Sequence, residues 1–316
     1  MVTRMALRTV ALVAALAASL TACGSTTGGG SGDGNGLSVG TGGTAANDGR
    51  LSVVAGANMW GNIAAQIGGS AVNVHSIISD PNVDPHEYES SVNDAAAVAH
   101  ADLVIENGLG YDDFLAKLIS AASHQGRVVL VVADLVHVGG SNPNPHLWYS
   151  PDYVETAARA IAQQLTRQDA AHATTYAANL ATFLAGEQQV RAVIGQIKAR
   201  YAGQEVAYTE RVAGYLLQAA GLQVGSPAGF SQALENGDDP SPLDTATFQQ
   251  ALRDHLVQAL IYNAQVTDST TTALKQLAQH SGVPVVGMTE TLPASAANYQ
   301  SWQADQARAL LGALGG

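Results

Sequence analysis

Two histidines follow short apolar runs and lie in loops stiffened by proline. His86 and His146 each come directly after a proline, in the loops that follow the runs 72–78 and 127–133. Proline fixes the backbone φ angle, so the conformations of these loops are restricted. A single loop histidine is usually solvated, but neutral imidazole is also a common metal ligand. The two histidines are therefore candidate metal ligands.

Two glutamates occupy corresponding positions later in the chain. Glu210 and Glu290 come directly after the runs 205–209 and 283–289, and each is preceded by a threonine. Ligands of parallel α/β sheets bind beyond the carboxyl ends of the strands, where all four side chains would lie. Two imidazoles and two carboxylates suit Zn(II), Mn(II) or Fe(II) better than Cu(I) or iron–sulfur clusters. The two carboxylates would also balance the charge of a buried dication.

Strand and helix patterns alternate through the body of the chain, and this alternation predicts α/β structure with parallel sheets. We expect two α/β lobes joined by a helical segment; the alternative is one larger doubly wound domain with an irregular middle. A Gly- and Pro-rich connection precedes a helix that should start at Ser241 and Pro242. The strand or helix patterns lie at 51–57, 72–78, 103–105, 127–133, 205–209, 212–220, 243–254, 259–263, 270–280 and 283–289, with a last helix from about 301.

The middle of the chain predicts at least one long helix. Residues 152–201 follow Pro151, contain no other proline and are rich in Ala, Gln, Leu, Arg and Glu. Gly186 and Gly195 weaken the prediction of one continuous helix, because glycine costs about 1 kcal/mol relative to alanine in a helix interior. We therefore expect an N-terminal lobe at 50–151, the helical segment at 152–201 and a C-terminal lobe at 202–316.

The first residues have the pattern of a processing signal. Arg4 and Arg8 precede an apolar, Ala-rich stretch, and Leu-Thr-Ala-Cys at 20–23 resembles a bacterial lipobox. We expect residues 1–22 to be a lipoprotein signal peptide and Cys23 to carry lipid; a plain secretory signal is the alternative. Residues 23–49 hold eleven of the 33 glycines and predict a flexible tether. The mature chain would be anchored to the membrane rather than span it.

Composition excludes several classes of protein. One cysteine cannot form an intramolecular disulfide. The formal net charge of −12 argues against nucleic acid as a partner, because binding phosphates needs a basic surface. Nothing in the sequence requires a dimer, and we expect a monomer.

Three motifs together resemble a known family. They read Asp-Pro-His-Glu-Tyr-Glu at 84–89, Ala-Asp-Leu-Val with a later Asn-Gly at 101–108, and Asn-Pro-His-Leu-Trp at 144–148. This set resembles the metal-binding lipoproteins of ABC importers that carry manganese, zinc or iron (cluster A-I), from Ala57 to the last helix. The resemblance implies two (β/α) lobes joined by a long backbone helix, with the metal in the cleft between them.

The resemblance also implies a ligand set. His86 and His146 match the two histidine ligands of the N-terminal lobe, Glu210 matches the third ligand, and Glu290 stands where the fourth, usually Asp, is found. Glu290 is one methylene longer than Asp, and Asn144 replaces the more common Asp before the Pro-His pair. The chain has neither a His-rich loop nor a histidine at the third position, which favours the manganese-type subgroup. Such a site generally binds Zn(II) more tightly than Mn(II) whatever its cargo.

The expected function is capture of a divalent metal, Mn(II) or Zn(II) before Fe(II), outside the cytoplasmic membrane. The chain would deliver the metal to a membrane permease driven by a separate ATPase, because the sequence contains no P-loop. We do not expect an enzyme: a metal-assisted hydrolase would keep one metal position for water, and no H-E-x-x-H or G-x-S-x-G motif occurs. A receptor for a metal chelate and an adhesin of the same fold remain alternatives.

Overall fold

Four parallel strands form the N-terminal sheet. The computed structural model describes residues 49–80, 88–266 and 268–316. The strands are Leu51–Ala57 (β1), Val72–Ile78 (β2), Leu103–Glu106 (β3) and Val128–Val131 (β4). They lie in the order β2-β1-β3-β4, and every pairing is parallel. Residues 53–57 of β1 are buried, as expected for a central parallel strand with both faces covered.

Helices alternate with these strands. They are Asn58–Gly68 (α1), Val92–Ala99 (α2), Asp113–Ala121 (α3) and Val132–Leu135 (α4). Helix α2 begins at a capping box: the Ser91 hydroxyl accepts the Asp94 N–H, and the Asp94 carboxylate accepts the Ser91 N–H. The apolar run predicted at 127–133 is a strand only to Val131, because the chain turns into α4 at the next residue.

A second parallel sheet forms the C-terminal lobe. Its strands are Glu205–Tyr208 (β5), Gln223–Val224 (β6), Leu260–Asn263 (β7) and Val285–Met288 (β8), in the order β6-β5-β7-β8. All pairings are parallel. Strand β7 therefore lies between β5 and β8, so the carboxyl ends of these three strands are neighbours.

Five helices accompany the second sheet. They are Gly214–Ala219 (α7), Ala228–Glu235 (α8), Pro242–Arg253 (α9), Ser269–His280 (α10) and Tyr299–Ala313 (α11). The side chains of Ser241, Asp268 and Asn298 cap α9, α10 and α11 by accepting backbone N–H groups of the first turn. The helix start predicted at Ser241 and Pro242 is confirmed. The interval treated as a connection contains β6 and α8.

Two long helices link the lobes. They are Pro151–Gln168 (α5) and the 29-residue Ala173–Tyr201 (α6). The helical segment breaks at 169–172, whereas α6 continues through Gly186 and Gly195. A Cβ at Gly186 would lie 3.3 Å from the Gln300 side chain of α11, so this glycine allows close helix packing. Within the described ranges, no helix is both long and apolar enough to cross a bilayer.

One hydrophobic core runs through both lobes. Helix α6 packs against α1, α5 and α11, and both lobes belong to one compact unit. The Phe183 ring of α6 stacks on Tyr299 of α11 with centroids 6.2 Å apart. The Tyr149 hydroxyl donates to the Thr289 carbonyl at 2.7 Å, and complete burial raises the Tyr149 pKa well above its usual value. Two parallel α/β sheets joined by a long helix confirm the predicted fold class and rule out a single doubly wound sheet.

Candidate metal centre

Three polar residues meet where the strands of the second sheet end. Glu210 lies two residues after β5, Asn263 is the last residue of β7, and Glu290 lies two residues after β8. Their exposed fractions are only 2%, 2% and 0%. Because β7 lies between β5 and β8, the topology places Asn263 between the two carboxylates.

The Asn263 amide bridges the two glutamates. Its Nδ2 donates to Glu210 Oε2 at 3.0 Å and to Glu290 Oε1 at 2.7 Å. Hydrogen bonds to a carboxylate are stronger than those between neutral groups, and burial strengthens them further. The two side chains therefore have fixed positions relative to each other.

His146 faces Glu290 from the N-terminal lobe. The imidazole is fully buried, and its Nε2 lies 3.5 Å from Glu290 Oε2. Its Nδ1 lies 2.7 Å from Asn144 Oδ1. The Asn144 amide must present oxygen here, because its Nδ2 donates to the Arg211 carbonyl at 2.8 Å. Nδ1 is thus the protonated nitrogen, and Nε2 can act as a metal ligand.

Three hydrogen bonds beside the proposed metal centre join the two lobes. Besides the bond from Asn144 to Arg211, the Tyr215 hydroxyl donates to the Asn144 carbonyl at 2.9 Å. Arg211 donates from Nη1 to the Asn142 carbonyl at 3.2 Å. Opening the lobes here would break these bonds, so they favour the closed arrangement.

A buried ion pair neutralises the arginine next to Glu210. Arg211 Nε donates to Glu235 Oε2 at 2.6 Å, and the Arg211 backbone N–H donates to Glu235 Oε1 at 2.7 Å. The two side chains are 16% and 4% exposed. Because Glu235 compensates its charge, Arg211 opposes a cation near Glu210 less than an unpaired arginine would. The pair is not evident from the sequence, because its two members are 24 residues apart.

Aromatic rings cover the other side of His146. The Trp148 ring meets it edge-on at 5.3 Å between centroids, and the Tyr111 ring lies at 6.2 Å. Trp148 is fully buried and Tyr111 nearly so. These rings exclude water and lower the local dielectric constant, which strengthens the interaction of a cation with the carboxylates.

The structure brings together three of the four predicted ligands: His146, Glu210 and Glu290. His86 lies in the segment 81–87, outside the described residues, and so does Cys23. Among the residues that the structure does describe, no group of three or more His, Cys, Asp or Glu side chains has the spacing of a complete metal site.

Asn263 was not among the predicted site residues, although it also lies at the carboxyl end of a parallel strand, the position that marked the glutamates. The predicted strand 259–263 ends at this asparagine, at the same edge of the sheet as Glu210 and Glu290. The ligand chemistry that marks the two glutamates does not mark an amide whose role is to orient them.

Asn107 holds the His146 segment in place, and its replacement by alanine is expected to destabilise the protein by about 2–3 kcal/mol. Asn107 is fully buried; its Oδ1 accepts from Trp60 Nε1 at 3.1 Å, and its Nδ2 donates to the Pro145 carbonyl at 2.9 Å. The variant would leave both partners buried without these bonds. Denaturant unfolding of the full chain measures the loss, with Asn236→Ala at the exposed end of α8 as the control. Equal effects in the two variants would contradict this role.

The fold and the site define a class of protein. Two parallel α/β lobes joined by a long helix are the architecture of two-lobe TroA-like metal-binding proteins. The family model described as "zinc-uptake complex component A periplasmic" matches residues 53–313, and the chain belongs to this family. Its members serve transport and are not enzymes, so the prediction of a non-enzymatic role is confirmed.

Individual relatives agree with this family. The chain is 24% identical over 259 residues to the metal ABC transporter substrate-binding lipoprotein ScbA of Streptococcus cristatus, over 77% of this chain and 80% of that protein. It is also 24% identical over 252 residues to the manganese ABC transporter substrate-binding lipoprotein PsaA of Streptococcus anginosus, with coverages of 75% and 78%. The periplasmic zinc-binding protein TroA from Treponema pallidum superposes with a TM-score of 0.71 at 18% identity, over 84% of this chain and 99% of that one. At this identity the last comparison supports the fold alone.

Proposed function

We propose that this chain is a lipid-anchored extracytoplasmic receptor that captures one divalent transition metal and delivers it to a membrane permease with a separate ATPase. The proposed ligands are His86, His146, Glu210 and Glu290. The single observation that carries the proposal is the 3.5 Å approach of His146 Nε2 to Glu290 Oε2, both fully buried and contributed by different lobes. A ligand pair divided between two lobes lets opening of the lobes release the metal.

Charge compensation supports a dication as the cargo. Glu210 and Glu290 are buried side by side, an arrangement that is unfavourable for two ionised carboxylates unless a cation balances them. The Arg211 guanidinium next to them is already paired with Glu235. A divalent metal would balance the charge of the two carboxylates, and imidazole nitrogen with carboxylate oxygen suits Zn(II), Mn(II) and Fe(II).

The relatives narrow the cargo and support the membrane anchor. The family is described by zinc uptake, and one relative is named for manganese, so Mn(II) and Zn(II) are the leading candidates. Both relatives are named as lipoproteins, which supports lipid attachment at Cys23. The Gly-rich residues 23–49 would then form the tether. A tethered monomer at the outer face of the membrane would remain close to its permease.

The proposal predicts one tightly bound divalent ion per chain. The full chain, purified in detergent and stripped with a chelator, is titrated with Mn(II) and Zn(II), and elemental analysis gives the bound metal per chain. We expect a ratio close to one for each metal, with the two metals competing for the same site. Absence of stoichiometric binding by every divalent metal tested would overturn the proposal and leave the chelate-binding and adhesin alternatives.

A further inference from the structure

The Asn263 amide meets each carboxylate of the proposed metal centre at one oxygen only. It donates to Oε2 of Glu210 and to Oε1 of Glu290. The other oxygen of Glu290 is the one that faces His146 Nε2 at 3.5 Å. One oxygen of Glu290 is therefore directed to the protein amide and the other towards the opposite lobe.

The orientation of this amide follows from its other contacts. Asn263 Oδ1 accepts the backbone N–H of Gln265 at 3.1 Å, so Nδ2 must face the carboxylates. The Asn263 backbone N–H donates to Thr209 Oγ1 at 3.2 Å, which fixes the residue to the exit of β5. A flipped amide would place its oxygen against two carboxylates and would lose the bond from Gln265.

A second amide fixes the loop that carries Glu290. Gln265 Oε1 accepts the backbone N–H groups of Glu290 and Thr291, the latter at 2.9 Å. Gln265 Nε2 donates to Thr291 Oγ1 at 2.6 Å. Glu290 is thus held through its backbone as well as through its side chain, and its longer side chain has little freedom to swing towards a bidentate position.

We propose that Asn263 is a positioning residue that restricts Glu210 and Glu290 to one metal-binding oxygen each and thereby increases the preference of the site for Zn(II) over Mn(II). This inference rests on the proposed function, because it needs a metal at these carboxylates. Zn(II) is satisfied by four ligands, whereas Mn(II) favours higher coordination by oxygen. A carboxylate that binds through one oxygen gives the metal one donor, whereas a bidentate carboxylate gives two.

The Asn263→Ala variant tests this inference. It removes the amide hydrogen bond from one oxygen of each glutamate, so competitive titration of the full chain should show the Zn(II)-to-Mn(II) affinity ratio falling about tenfold or more. Co(II) in place of the natural metal gives a second measurement, since four-coordinate Co(II) absorbs visible light more strongly than six-coordinate Co(II). The absorption should weaken in the variant.

Asn298→Ala is the matched control. Asn298 caps α11 by accepting the Ser301 N–H at 2.8 Å, so its loss should lower stability and leave both the affinity ratio and the Co(II) spectrum unchanged. Asn263→Ser retains one hydroxyl donor, is expected to show a smaller change, and replaces the alanine variant if that variant does not fold.

The outcomes separate this inference from the proposed function. A wild-type chain that binds no metal would overturn both. A wild-type chain that binds one ion, with an unchanged affinity ratio in the Asn263 variant, would overturn the positioning role and leave the receptor function intact. An equal loss of affinity for Zn(II) and Mn(II) in the variant would also overturn the positioning role.

Discussion

Replacement of Glu210 by glutamine is expected to weaken binding of both Mn(II) and Zn(II) to the full chain by more than about 100-fold. Glutamine has nearly the same size and can occupy the same buried position at the exit of β5, so the change removes charge rather than volume. The loss of one of two carboxylates would leave a buried dication only half compensated. Competitive titration with a metal-binding dye measures the effect.

The same substitution at Glu290 tests the proposed ligand whose side chain is one methylene longer than the usual Asp. Glu290→Gln should weaken binding about as much as Glu210→Gln, because Glu290 faces His146 across the lobes. Glu205→Gln is the control: this exposed glutamate begins β5, at the opposite end of the same strand. The Glu205→Gln variant should bind Mn(II) and Zn(II) with the affinity of the wild type. Loss of binding in the Glu210 variant with full binding in the Glu290 variant would remove Glu290 from the ligand set.

The sequence predicts the central strand β1 well because burial determines its composition, and its bounds coincide with the predicted run 51–57. The run 72–78 also gives the bounds of the edge strand β2, in which Val72, Ile77 and Ile78 are buried. Strand β6 was missed for the opposite reason: it consists of two exposed residues at the edge of the sheet and has no apolar pattern. Helix α8 follows it within a Gly- and Pro-rich stretch that resembles a loop.

Helix propensity failed where tertiary packing decides the structure. Gly186 weakened the prediction of one continuous helix, yet α6 passes through it because the glycine lets the Gln300 side chain approach. The break lies instead at Asp169, whose carboxylate accepts from the Tyr176 hydroxyl at 2.8 Å. Aspartate favours helix ends over helix interiors, but this signal is weaker than that of a glycine, and the contact itself depends on a residue of the following helix.

The position of a residue in the sheet predicts more of the site than its chemical type does. Glu210 and Glu290 were predicted because they follow the carboxyl ends of parallel strands. Strand β7 lies between those strands and ends at Asn263. What one sequence does not give is the distance between loops of different lobes. The approach of His146 to Glu290 depends on packing around α6 and on the amide of Asn144, which no periodicity reveals.

Replacement of Glu187 by glutamine is expected to stabilise the metal-free chain at pH 8 by about 1–3 kcal/mol and to change its stability little at pH 5. Glu187 lies in α6 and is 2% exposed, and within the described structure its carboxyl oxygens make no hydrogen bond. Burial raises the Glu187 pKa to about 7; Glu155 adds to the increase, and Arg191 opposes it. The nearby Tyr299 ring offers no compensating charge.

The sign of the pH dependence follows from proton binding. Between the usual pKa of a glutamate, 4.5, and about 7, the folded chain holds a proton on Glu187 that the unfolded chain has lost. Stability therefore falls as the pH rises through this interval, and ionised Glu187 destabilises the fold above it. Glutamine imitates the protonated form at every pH, so the variant should lose this part of the pH dependence.

Denaturant unfolding of both chains from pH 5 to pH 8, with chelator present, measures the difference. Burial also raises the pKa of Asp112 to about 7, so the variant should retain a weaker decline with pH. The contribution of Asp112 cancels when the two chains are compared at the same pH. The exposed Glu205→Gln variant should follow the wild type throughout. A Glu187→Gln chain that is no more stable than the wild type at pH 8 would show that the helix interface accommodates the charge, for example by moving Arg191 closer to it.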